Sequence, residues 1–267
     1  MGARDELYDL LLDYANLQIE VERVLLGLNL TLCQAGATGV AETTGNGQWR
    51  RESAAPLAGR SLAELSLWVR NWDRQQAAIG LAAINAAVNS EADMVYGEGA
   101  LFRGSRALGN ALEWFLPRLR GHKIVHLGEE NPFALRHERL QLTHLACSGG
   151  ALHPAAEVVL GKAEWVFVNG QSIADKTLPR VLELVRDAQV VLYGPQVPWL
   201  DEWREFGIDF LIGSQIDQGE ALYTAIAEGG DIDTLPQALS YRVCDLGALQ
   251  AATLPAAEKP RALLAPH

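Results

Sequence analysis

Cysteine is scarce in this chain, and long apolar runs are missing. The 267 residues include three cysteines, Cys33, Cys147 and Cys244, far apart and without a CxxC pair. That argues against a disulfide framework and for a reducing compartment, the cytoplasm. No apolar run approaches the ~20 residues of a membrane span. Asp5, Glu6 and Asp9 stand where a secretory signal would need a basic flank and an apolar core, so no membrane partner is expected. Basic residues are also outnumbered, 22 against 33 acidic, for a net charge of −11. Such a field repels phosphate polymers. Arg103, Arg106, Arg118, Arg120 and Lys123 form only a loose basic group, and no nucleic-acid partner is expected. HExxH, GxSxG and the glycine fingerprint GxGxxG are absent as well. No motif spells out a reaction.

What is present is a set of buried-strand patterns. Val190-Val191-Leu192-Tyr193 is an unbroken apolar run that stops at Gly194-Pro195. Without alternation, it reads as a strand covered on both faces, opening into a tight, water-facing loop. Similar strand-then-glycine patterns recur at Ile124–Gly128, Trp165–Gly170 and Phe210–Gly213. Strands near 123–127, 142–146, 164–168, 189–193, 209–212 and 241–244 alternate with helical patterns near 105–120, 153–161, 175–187, 199–205 and 217–228. This predicts an open, mostly parallel α/β sheet of Rossmann type with helices on both faces. Ligands of such sheets bind beyond the carboxyl ends of the strands.

The first third differs. A helix over 4–16 is followed by strand patterns at Ile19–Cys33 and Gly36–Thr44, with a turn at Gly45-Asn46-Gly47. Ser61 with Glu64 is a capping-box signature for a helix to about Val69, and Asp73 is a plausible N-cap for a longer helix to about Val88. The expected organisation is an α+β domain over 1–95, a Rossmann-like domain over 96–250 and a peripheral or disordered tail over 251–267.

Within that frame, Ala78-Ile79-Gly80-Leu81-Ala82-Ala83-Ile84-Asn85-Ala86 resembles the signature helix of the heavy-metal chelation family of DUF4213/DUF364 type. That family pairs an enolase-N-terminal-like domain with a Rossmann-like domain. Gly36-Ala37-Thr38-Gly39-Val40-Ala41 and Pro56-Leu57-Ala58-Gly59-Arg60 are similar to its first domain. Val168-Asn169-Gly170, Asp175-Lys176-Thr177-Leu178 and Gly194-Pro195-Gln196-Val197-Pro198 are similar to its second. The resemblance spans roughly residues 5–245 and rests on the order and spacing of these segments. Gln196 and Val197 replace small hydroxyl residues between the prolines. Gly170-Gln171-Ser172 replaces a glycine-threonine pair, and Gly128-Glu129-Glu130-Asn131-Pro132-Phe133 replaces a glycine-aromatic-proline turn. The resemblance implies a metal ion or a metal-chelating small molecule as ligand, with a divalent metal as the candidate cofactor.

Candidate site residues follow from the strand exits: Gly128, Glu129, Glu130 and Asn131; Asn169, Gly170 and Ser172; Gly194, Pro195 and Gln196. Glu129 and Glu130 stand where a dinucleotide fold seats a pyrophosphate, which disfavours NAD and FAD; a cation, an amine or ribose hydroxyls would suit them better. Cys147 and Glu130 are the candidate metal ligands, with Cys147 as a small buried hydrophobe the plainer reading. His126 falls in a buried run and reads as a core histidine bonded to a backbone group, His153 as a capping or surface residue. His144 and Cys147, three apart on a strand, would point to opposite faces. Asn85 and Asn89 share a helix face: Asn85 either ties the helix to a neighbouring loop or lines a cleft between the domains. Arg103 and Tyr96 could close over that cleft. The expected function is binding or handling of a metal ion or chelating small molecule. Alternatives are an enzyme using a nucleotide-like cofactor such as S-adenosylmethionine, and a non-catalytic sensor or assembly factor. Catalysis and a homo-oligomeric state are left open.

Overall fold

The computed structural model describes residues 3–43, 55–89, 99–129, 133, 140–147, 149–232 and 237–248. Its elements form two separate sheets. The N-terminal part begins with α1 (Ala3–Tyr14), followed by an antiparallel sheet of β1 (Arg23–Leu26), β2 (Leu30–Ala35) and β3 (Ala37–Glu42). Then come α2 (Leu62–Ser66), a 3-10 turn (Leu67–Arg70) and α3 (Arg74–Val88). Both expected caps are in place. Ser61 Oγ accepts from Glu64 N at 3.1 Å, and Asp73 Oδ1 accepts from Gln76 N at 2.8 Å, each satisfying an amide that the first helical turn cannot.

Apart from Asn85, helix α3 is apolar on all sides from Ala77 to Ala86, and it is buried on all sides. It packs on β2 and β3, on α1 and α2, and on the 3-10 turn. Small residues make these approaches possible. A Cβ at Gly39 of β3 would collide with the α3 backbone at Ala82 and Ala86, and one at Gly80 would collide with the backbone of Trp68 and Val69.

The second sheet has seven strands in the order β4-β10-β9-β8-β7-β5-β6. Five are parallel: β5 (Lys123–Gly128), β6 (Gln141–Ala146), β7 (Trp165–Asn169), β8 (Gln189–Tyr193) and β9 (Phe210–Ile216). β10 (Leu239–Asp245) runs antiparallel to β9 and to the short β4 (Ala100–Phe102), a strand the sequence patterns did not indicate. Along the parallel strands the order is 2-1-3-4-5, the second of the two common doubly wound arrangements. The chain reverses direction at β5, which lies between β6 and β7. A switch point of this kind leaves a crevice beyond the carboxyl ends of the two strands flanking it.

Helices cover both faces. One face, with Val125, Leu127, Val166, Val168, Val190 and Leu192, packs in one core with α1 and α3. Helices α6 (Ala156–Val159), α7 (Gln171–Ala174) and α8 (Leu178–Leu184) join that core. The Tyr8 hydroxyl donates to Ile173 O at 2.6 Å and joins α1 to α7. The other face, with Ile124, Phe167 and Val191, packs on α4 (Ala107–Glu113), α5 (Leu116–Leu119) and α9 (Gly219–Ala227). Phe115 sits edge-on to Trp165, Phe167 and Phe210 there, the arrangement the ring quadrupoles favour. The small sheet contributes to both cores, Cys33 and Ala41 to the first, Leu32 and Val40 to the second. No helix among the described residues is long and apolar enough to cross a membrane. The Gly45-Asn46-Gly47 turn and the tail from Ala251 lie outside the described residues.

Because a methyl group at Gly80 has nowhere to go, Gly80→Ala is expected to destabilise the protein by about 1–3 kcal/mol, the usual cost of overpacking. Urea denaturation with an unchanged midpoint would show that α3 and the 3-10 turn can separate freely.

Candidate functional site

The exit of β8 differs from its sequence expectation. Residues 191–200 are all buried, so the loop does not face water. Pro195 and Pro198 have no N–H to offer, yet the carbonyls of this loop are buried and need donors. Side chains from elsewhere supply them. Ser214 Oγ donates to Pro195 O at 2.7 Å, and Asn85 Nδ2 to Gln196 O at 2.9 Å. Asn89 Nδ2 reaches Val197 O at 3.4 Å, and Trp203 Nε1 donates to Pro198 O at 2.8 Å. Asn89 Oδ1 in turn accepts from Trp199 N at 3.0 Å. The bend begins at Gly194, whose φ of +131° belongs to glycine and whose Cβ position lies 3.3 Å from the Gln196 amide.

Asn85 therefore ties α3 to the loop. Its amide nitrogen also donates to Val40 O at 2.8 Å, so one side chain joins α3, β3 and the β8 exit. Its Oδ1 is buried without a partner.

A second network starts at Asn169, the last residue of β7. A backbone N–H can only donate, so the 2.7 Å contact from Gln171 N fixes which end of the Asn169 amide is oxygen. The same oxygen accepts from Gln196 Nε2 at 2.8 Å, while Asn169 Nδ2 turns to Glu42 Oε1 at 3.3 Å. Gln171 Nε2 points at Asp175 Oδ1, 3.4 Å away. Asp175, whose side chain is 5% exposed, is paired with Arg74 Nε at 2.8 Å. Glu42 ends β3, where the amides of Asn169 and Gln196 reach its carboxyl and the Glu129 and Asp175 carboxylates lie near enough to oppose its charge. Burial holds its carboxyl above the usual range, an effect partly offset by Asn169 and Gln196. The Gln171 Oε1, Ser172 Oγ and Gln196 Oε1 atoms are buried with no partner.

Glu42, Asn169, Gln171, Ser172 and Asp175 line a cavity of about 640 Å³ at the switch point, within the range of small-molecule sites. Gly128 and Glu129 reach it from the β5 exit, Cys147 from beyond β6, Asn169 and Ser172 from the β7 exit, and Pro195 from the β8 exit. Glu42 and Thr43 close it from the small sheet. Of the other expected site residues, Gly170, Gly194, Gln196 and Asn85 do not line the cavity. Gln196 packs beneath Gly170 and Gly194, and Asn85 lies behind that loop. Glu130, Asn131 and Tyr96 lie outside the described residues. Arg103 is largely exposed, 3.9 Å from Asp217, and Arg106 lines the cavity in its place.

Sequence reasoning missed Glu42, Gln171 and Tyr193. For Glu42 there was a signal: a carboxylate closing an otherwise small and apolar strand.

His126 has no exposed surface. Its partners are side chains, not the backbone group expected from sequence: His144 Nδ1 lies 2.8 Å from its Nδ1, and the Tyr193 hydroxyl 2.6 Å from its Nε2. Register explains the first contact, since β5 and β6 pair His126 with His144 on one face. A Cβ on Gly128 would press on both the Tyr193 hydroxyl, at 2.8 Å, and the imidazole, at 3.0 Å. Burial pulls His126 down to about 3, so the imidazole stays neutral and links the cavity wall, through Tyr193, to His144. His153 Nδ1 accepts from Ala155 N at 3.1 Å and caps the turn into α6, as expected. Cys147 is half-buried, and burial raises its thiol, which favours the protonated form. Among the described residues no group of three or more His, Cys, Asp or Glu side chains could hold a metal ion.

Two sequence models match the chain, that of DUF4213 over residues 8–88 and that of DUF364 over residues 112–244, each described as "Putative heavy-metal chelation". The chain belongs to this family. A crystal structure of a DUF364-family protein of unknown function from Desulfitobacterium hafniense superposes with a TM-score of 0.75 at 22% identity, covering 90% of this chain and 98% of that one. A second DUF364-family protein of unknown function, from Pyrococcus horikoshii, gives 0.68 at 16% identity, covering 91% and 99%. At these identities the likeness shows the fold alone. None of the curated proteins compared with the chain matches it.

Asn85→Ala removes the donor to two buried carbonyls, and each orphaned group costs about 1–3 kcal/mol. Urea denaturation is expected to show a loss in that range or above; a loss below about 0.5 kcal/mol would mean the two bonds carry no weight. His126 sets a pH dependence. Its folded-state value of about 3 lies below the 6.5 of the unfolded chain, so the unfolded state takes up the proton first, and stability falls as pH drops from 6.5 towards 3. His126→Gln is expected to flatten that part of the midpoint-against-pH curve; an unchanged slope would assign it to other groups.

Proposed function

We propose that the cavity binds a small polar chelating molecule, free or carrying its metal ion, instead of wrapping a bare ion. One wall comes from the N-terminal α+β half (1–95) and the others from the strand exits of the α/β half (96–250). The observation that carries this reading is a metabolite-sized cavity in which amides, hydroxyls and carboxylates stand among apolar side chains, yet with no three-donor ion site among the described residues. A bare transition metal needs several soft or imidazole ligands at ~2.0–2.3 Å. Here the one lining thiol favours its protonated form, and Asp175 is already occupied by Arg74. A chelator brings its own donors and asks the protein only for shape and hydrogen bonds. The heavy-metal description of the family supports the ligand class. Three free cysteines fit the cytoplasm as the place of action.

The test is thermal unfolding of the full chain with zinc or nickel ions, with citrate, with histidine, and with the nickel complexes of both. A ligand of the folded state at a hundredfold excess over Kd adds about 2.7 kcal/mol. Stabilisation is expected only where an organic molecule is present. Stoichiometric binding of a bare ion, with no response to any chelator, would reverse the assignment.

A further inference from the structure

In the network behind the cavity each side-chain amide nitrogen is aimed at an acceptor, and unpartnered oxygens remain. Asn169 Nδ2 faces Glu42, the Gln171 backbone N–H and Gln196 Nε2 both face Asn169 Oδ1, and Gln171 Nε2 and Arg74 face Asp175. The Asn169 and Gln196 orientations follow from one fixed backbone donor, and that of Gln171 from the Asp175 carboxylate, which can only accept, so flipping any of these amides breaks a bond of the network. Left over are Gln171 Oε1 and Ser172 Oγ, both buried, without partners, on residues that line the cavity. Gln171 is only 8% exposed. A buried polar group without a partner costs stability, and two on residues that line the same cavity as Glu42 mark a place for a donor.

Charge points the same way. The carboxylates that line the cavity are Glu42, Glu129, Asp175 and Asp231, against one guanidinium, Arg106. Asp175 is matched by Arg74, while Arg106 sits at the rim, 63% exposed and 3.4 Å from Glu113. Glu42, deep in the cleft, has no cation partner among the described residues. A carboxylate so placed either takes up a proton or is matched by a positive group of the ligand.

We infer that the ligand carries a protonated amine, and that this ammonium is seated against Glu42, Gln171 Oε1 and Ser172 Oγ. An ammonium presents three rotatable donors and no acceptor, which suits a wall of acceptors. The inference rests on the reading of this cavity as a ligand site and narrows its ligand to an amine-bearing molecule. Purely carboxylate chelators would set their charge against that of Glu42.

Calorimetric titration of the full chain in metal-free buffer decides the matter with four probes: triethylenetetramine, an amine chelator; spermidine, an amine that chelates poorly; triethylene glycol, a neutral molecule of similar length; and citrate. Both amines are expected to bind at least tenfold more tightly than triethylene glycol, and Glu42→Gln to weaken them at least tenfold without lowering the unfolding temperature. Amines that bind no better than the glycol, or equally well to the Glu42→Gln protein, overturn the inference. If that variant fails to fold, the wild-type ratio of amine to glycol decides alone. Citrate binding here, or its nickel complex raising the unfolding temperature in the thermal test, while the amines fail would remove the inference and leave the chelator reading standing. Glu42-dependent amine binding with no response to any metal complex would do the reverse.

Discussion

Four consecutive carbonyls, from Pro195 to Pro198, set the terms for the rest of this structure. They lie in a segment with no exposed residue, and two of its residues are prolines that cannot donate. A buried carbonyl without a donor is costly. The donors come from three directions: Ser214 on β9, Asn85 and Asn89 on α3, and Trp203 in the turn that follows the loop. Two of them belong to the N-terminal half. The loop is thus a joint between the two halves, as well as the end of a strand, and α3 must lie where its amides reach it. Gly39 and Gly80, which let α3 approach its neighbours closely, serve the same placement.

That joint also shapes the cavity. With Gln196 O held by Asn85, its side chain is directed under Gly170 and Gly194 towards Asn169. Asn169 then passes the constraint to Gln171 on one side and to Glu42 on the other. A polar network of this kind is rigid when its members are satisfied, and each member limits the others. Positioning of the cavity wall and joining of the two halves are one set of hydrogen bonds.

The local chemistry was legible in the sequence. Ser61 and Asp73 announced their helices, and the run Val190–Tyr193 announced a strand buried on both faces. The spacing of Asn85 and Asn89 placed two amides on one face, which both turn towards the same loop. What could not be read was which distant groups would meet. The run after Tyr193 looks like a water-facing turn because glycine and proline favour exposed turns. Its carbonyl partners lie as far as 111 positions away, and nothing in the local pattern reveals them. His126 was legible as buried but not as bonded to His144 and Tyr193, since that depends on strand register and order. Glu42 belongs to the same class: its meaning comes from the strand exits it faces, which follow it by more than eighty residues.

Amide donors explain how the Glu42 carboxylate can stand so deep with no cation partner among the described residues. Two amides, from Asn169 and Gln196, reach Glu42. Neutral donors lower the cost of its charge without cancelling it, so burial still holds the carboxyl above its ordinary range. An arginine in their place would have stabilised the charge fully and closed the site to any positive ligand. Amides leave it partly compensated, in a cleft large enough to admit a molecule. The nearby ion pair shows the contrast: Asp175, matched by Arg74, is a finished structural contact. Among the described residues Glu42 has no such cation, and its charge is met by amides alone.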